Sequence, residues 1–74
     1  MECWRQWLGA RIAEMKSSKT DMTYENIGQC IRAELREQKN LDPTEAVVLK
    51  ELESKIPGKL GTFIGNIYRT HIKQ

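Results

Sequence analysis

The sequence predicts an all-α protein: one small domain built as a bundle of four short helices. Three observations carry that prediction. Apolar residues recur at helical spacing along the whole chain, and no segment alternates as a half-buried strand would. Cap and turn residues divide the chain into four such segments. Finally, 74 residues with 39% apolar and 30% charged side chains have a globular balance, with enough apolar surface for one thin core.

The first helix is expected over residues 3–17. Trp4, Trp7, Leu8, Ile12 and Met15 fall within about 140° of arc, and Ser17-Ser18-Lys19-Thr20-Asp21 ends the segment with side chains that favour turns. The second helix is expected over 22–39, opened by Asp21 or Thr23 as the capping residue and stopped near Asn40. Its stripe, Tyr24, Ile27, Ile31 and Leu35, is about 80° wide with Gly28 at the edge.

The third start is the clearest signal in the chain. Asp42-Pro43-Thr44-Glu45 supplies a capping acid, a proline at the first helical position and a glutamate three residues after the cap. Val48, Leu49, Leu52 and Ile56 then share roughly 100° of one face. Pro57-Gly58 is read as the stop, which gives a helix over 43–56.

A fourth helix is expected over 60–72. Leu60, Phe63, Ile64, Ile67, Tyr68 and Ile72 cover about 180°, wider than a surface helix needs, which implies a central helix packed on two sides or an arc that binds a ligand. Gly61 and Gly65 stand four apart at the border of that arc. Each costs about 1 kcal/mol of helix propensity against alanine, a cost usually offset by close approach of another backbone, from this chain or a second copy. His71 is expected to pack or to cap the last turn rather than to catalyse.

Net charge is +2, unevenly spread. Residues 1–20 carry four cations against two acids, residues 21–56 eight acids against five cations, and residues 57–74 three cations and no acid. No apolar run approaches the ~20 residues of a membrane span, and the N-terminus has neither a secretory signal pattern nor a myristoylation glycine. Cys3 and Cys30 form no CxxC and have no histidine at metal spacing, so they are expected to be reduced and partly buried thiols in a cytoplasmic protein, with a single disulfide between them as the alternative.

No catalytic or metal-binding signature is present, and no cofactor or small-molecule substrate is implied. The lone histidine has no partner constellation, and the glutamates lie on polar helix faces where solvation and pairs such as Glu51–Lys55 account for them.

Two surfaces remain as candidate sites. Arg11 lies inside the apolar stripe of the first helix, four residues from Trp7, where its guanidinium could stack on the indole. Trp4, Trp7, Arg11 and Met15, with Val47 facing away from its own helix's stripe, form a candidate partner-binding surface, since tryptophan and arginine are enriched at binding hot spots. Arg11 snorkelling from the core rim is the structural alternative. The second surface is the polar face of the fourth helix, where Lys59, Thr62, Asn66, Arg69 and Lys73 fall within about 80° without an acid, a chemistry suited to phosphate and base edges. The leading expectation is therefore a non-catalytic protein-interaction module, an adaptor or regulator binding another protein or forming a homodimer. The alternative is a small DNA- or RNA-binding regulator.

Two segments carry family resemblances. Leu52 to Tyr68, with Ile56, Pro57, Gly58, Gly61 and Gly65, resembles the helix–hairpin–helix DNA-binding motif, although Lys59-Leu60 stands where one apolar residue belongs. The resemblance implies a hairpin presenting backbone N–H groups to a phosphate. Tyr24-Glu25-Asn26-Ile27-Gly28 resembles the first helix of a helix-turn-helix unit, yet the apolar stripe runs on to Leu35, as it would in one long helix.

Overall fold

In the computed structural model, which describes residues 3–18 and 21–71, four helices are separated by short connectors: α1 (Cys3–Ser18), α2 (Tyr24–Glu37), α3 (Pro43–Glu53) and α4 (Pro57–His71). The side chains of Cys3 and His71, and Lys19, Ile72 and Lys73, lie outside the described residues.

The capping chemistry sets the boundaries. Thr23, in an extended conformation, accepts from the Asn26 backbone N–H at 3.1 Å and opens α2 two residues later than the periodicity suggests. Gln38 leaves helical geometry and closes α2 at Glu37, before Asn40 is reached. Asp42 and Glu45 form a reciprocal capping box, Asp42 Oδ1 accepting from Glu45 N at 2.7 Å, with Pro43 in the first turn.

The third and fourth helices differ most from expectation. α3 stops at Glu53, where Ser54 donates its backbone N–H to the carbonyls of Lys50 and Glu51 and its hydroxyl to Glu51. Pro57 therefore begins α4 instead of ending α3, and the Ile56 carbonyl accepts from Lys59 N at 2.9 Å and Leu60 N at 3.0 Å. Proline suits this place because the first helical N–H has no partner inside a helix. Ile56, assigned by phase to the α3 stripe, lies beyond the end of that helix and is 59% exposed.

The core is wholly aliphatic: Leu8 and Ile12 from α1, Ile27, Ile31 and Leu35 from α2, Val48 and Leu52 from α3, and Leu60, Ile64 and Ile67 from α4. Trp4, Trp7, Met15, Tyr24, Leu49, Phe63 and Tyr68 pack around it, partly buried.

α4 rests on both α1 and α2, which accounts for its wide apolar arc. Toward α2, Tyr68 meets Tyr24 with ring centroids 5.8 Å apart. Toward α1, Phe63 stacks on Trp4 with centroids 6.4 Å apart and planes 18° from parallel. α3 packs on α1 and α2.

Glycines let α2 and α4 approach. A Cβ built on Gly28 would lie 2.9 Å from both Cγ and Cδ2 of Leu60. A Cβ built on Gly61 would lie 3.5–3.8 Å from Cβ, N and Cα of Glu25 in the first turn of α2, and one built on Gly65 would lie 3.3 Å from the Tyr24 ring. The close approach of another backbone expected at these two glycines is found at Gly61, from within the chain, whereas Gly65 meets an aromatic side chain instead.

A single arginine ties α2 to the α3–α4 connector. Arg32 donates to the carbonyls of Leu52 and Lys55 and to Gln29 Oε1, the last at 3.2 Å. The Leu52 carbonyl, which also accepts from Lys55 N at 3.2 Å, and the Lys55 carbonyl are thereby tied to α2, which holds the connector in place.

Candidate functional site

Two surfaces combine chemistry with shape, one on α1 and one on α4. On α1, Arg11 is central. Its guanidinium pairs with Glu14 at 2.6 Å and with Glu34 across on α2. Partial burial opposes the charge, but the hydrogen bonds to the two carboxylates outweigh it and raise the Arg11 pKa further.

The stacking of Arg11 on Trp7 that the spacing allows is not formed, and Arg11 lies at the core rim as in the alternative reading. The carboxylates hold the guanidinium at the rim, and the arginine over an indole is Arg5, 4.9 Å from the Trp4 ring centroid. Two shallow depressions meet at Arg11 and Glu14. One, of about 260 Å³, is lined also by Met15, Ser18, Met22 and Glu34; the other by Trp7, Ala10 and Ala13. The structure thus brings Trp7, Arg11 and Met15 together. Trp4 turns instead to Phe63, and Val47, 41% exposed on α3, lines neither depression.

On α4, Lys59, Thr62, Asn66 and Arg69 are all exposed, and Asn66 accepts a hydrogen bond from Arg69. An open groove of about 450 Å³ runs over Lys59, Thr62 and Asn66, with Lys55 and Phe63 completing its lining. Lys55 Nζ sits over the Phe63 ring, 4.9 Å from its centroid. No carboxylate lines this groove.

Lys55 and Phe63 were not legible as site residues. The apolar period puts Lys55 on the third helix and Phe63 in the apolar arc of the fourth. Reading Pro57 as a helix opener would have placed Lys55 just ahead of Lys59 and Phe63, each a turn further on.

No family model, curated protein or solved structure matches this chain.

The phosphate-binding hairpin implied by the helix–hairpin–helix resemblance is not formed. Gly58 and Gly61 lie within α4, and no described residue has a positive φ, so no hairpin nest of N–H groups exists there. The helix-turn-helix resemblance fails in the same way, because α2 continues without a turn to Glu37. Lys16 is engaged at the α1–α2 junction, donating to the Met22 carbonyl at 3.1 Å and lying over the Tyr24 ring.

Cys30, expected to be partly buried, is an exposed free thiol, because its position on α2 faces away from the Ile27–Ile31 stripe. Among the described residues no group of three His, Cys, Asp or Glu side chains could hold a metal ion, and no helix is long and apolar enough to cross a membrane.

Proposed function

We propose that this chain is a small, non-catalytic α-helical interaction module, an adaptor or regulator that binds another protein or a second copy of itself through α1. The observation that carries the reading is the pair of depressions meeting at Arg11 and Glu14. They set Trp7 and two methionines, Met15 and Met22, beside one cation and two acids. Flexible methionines and a half-buried tryptophan suit adaptable apolar contact, and the mixed charges favour docking in one register. A reducing, cytoplasmic address belongs to the same reading and is supported by the exposed thiol of Cys30.

The test compares Trp7→Ala and Arg11→Glu with the parent chain. Sedimentation velocity over a micromolar concentration series reads self-association, and affinity capture with the parent and both variants reads a separate partner. Both variants should lose association while circular dichroism keeps its helical signal. Association unchanged in both, or absent from the parent in both assays, removes α1 as the binding surface.

A further inference from the structure

The groove on α4 is a separate feature with its own chemistry, sharing no lining residue with the α1 depressions. We propose that it binds single-stranded nucleic acid. Lys55, Lys59 and Arg69 meet the phosphates, Thr62 and Asn66 supply hydrogen bonds, and Phe63, backed by Trp4, offers a surface on which one base stacks.

Three observations carry the proposal. First, the groove and its flank hold cations, neutral hydrogen-bonding groups and an aromatic ring, without a carboxylate in the lining. Basic tracks interleaved with aromatic surfaces are how proteins hold unpaired strands, the backbone following the charge and the bases stacking.

Second, the charge is placed where the helix alone would reject it. Lys59 lies in the first turn of α4, Lys55 just ahead of it, and that turn contains no acid. The positive end of a helix dipole disfavours cations, so both lysines raise the local potential in a way that a bound anion relieves. From Lys59 to Arg69 the helix rises about 15 Å, long enough for several backbone positions of a strand.

Third, the geometry selects an unpaired strand over a duplex. The discriminating element is the aromatic ring and not the helix, because a helix docked in a major groove reads paired base edges with its polar side chains and has no use for a stacking surface. Its aromatic ring lies in the lining of an open groove, where an unstacked base can reach it and a base locked in a duplex cannot. Lys55 Nζ now lies over that ring, and a base stacking there displaces the ammonium toward the adjacent phosphate.

The experiment is fluorescence anisotropy of labelled oligothymidylate and oligouridylate with the full chain, with a mixed-sequence duplex and inorganic polyphosphate as competitors. The expected result is binding of the single strands at ~50 mM salt, weakening toward ~300 mM with a log–log slope of roughly −2, from about −0.7 for each of three phosphate contacts.

Lys59→Glu, at an exposed position, should weaken binding about tenfold or more and flatten the slope by roughly 0.7 or more. Phe63→Leu should weaken oligothymidylate binding about fivefold or more while leaving polyphosphate binding unchanged, with circular dichroism reporting that the helices persist. Absence of binding at ~50 mM salt overturns the proposal. So does binding that Lys59→Glu leaves unaltered. Equal competition by polyphosphate together with no effect of Phe63→Leu overturns it in favour of a general polyanion site, and tighter binding of the duplex overturns the choice of strand.

Discussion

Gly28→Ala is the most informative single perturbation of this fold, because propensity and packing pull it in opposite directions. In mid-helix, alanine gains about 1 kcal/mol over glycine. At Gly28, however, the added methyl would stand 2.9 Å from Cγ and Cδ2 of Leu60 and 3.1 Å from Cγ1 of Ile64. Leu60 and Ile64 are both fully buried, so neither can swing outward to make room.

Overpacking of that kind costs about 1–3 kcal/mol. Contact at Cγ as well as at the far methyl puts Gly28 in the upper part of that range, which leaves a net loss of about 1–2 kcal/mol after the propensity gain. For a chain of this length such a loss lowers Tm by roughly 5–15 °C. Gly58→Ala is the control. Nothing lies within 4 Å of a Cβ built there, so only the backbone effect remains, and Tm should rise by a few degrees. Gly61→Ala should behave like Gly58→Ala, since its methyl would meet Glu25 at ordinary contact distances. Thermal unfolding followed by circular dichroism at 222 nm (~0.2 mg/ml, where a helical signal of this strength is easily read) measures all three. A rise for Gly28→Ala equal to that for Gly58→Ala would refute the close packing of α2 on α4.

Asp42→Ala removes the acceptor of the capping box and should cost about 1 kcal/mol in urea denaturation, with an unchanged m-value. Arg32→Met removes the side-chain donor to the Leu52 and Lys55 carbonyls, of which Leu52 keeps its bond from Lys55 N; the expected loss is about 1–2 kcal/mol, with faster amide exchange in residues 52–56. The hydrogen bond from Arg36 holds the Glu53 carboxyl below its ordinary pKa. A depressed carboxyl stabilises the fold above its unfolded pKa, and the contribution is lost as pH falls through the folded value. Arg36→Gln should therefore move the Glu53 titration measured by NMR upward and remove that part of the acid sensitivity; an unmoved titration would mean that the pair is absent in solution.

The apolar period made the helix faces legible because burial acts residue by residue. Ile27, Ile31 and Leu35, or Leu60, Ile64 and Ile67, share a face whatever lies opposite. The Asp42 cap was legible for the same reason, since all its partners lie within one turn. Pro57 was not, because proline disfavours helix behind it and preorganises helix ahead of it, and the local sequence fits both outcomes. What decides is the end of α3, where Ser54 caps Lys50 and Glu51 and Arg32 takes the carbonyls of Leu52 and Lys55 from a helix 20 and 23 residues away. The pairing of Arg11 with Glu34 and of Trp4 with Phe63 is equally non-local, so no spacing rule could place Arg11 off the Trp7 ring or bring Trp4 to the far end of the chain.

The surface chemistry depends on that one boundary. A helix starting at Leu60, after a third helix running to Ile56, would leave Lys59 on a loop without a fixed relation to Phe63. Starting at Pro57, it puts Lys59, Phe63 and Asn66 on successive turns of one groove, with the Lys55 ammonium over the ring. The same capping step that exposes Ile56, at a cost to the core, is the step that assembles the basic groove.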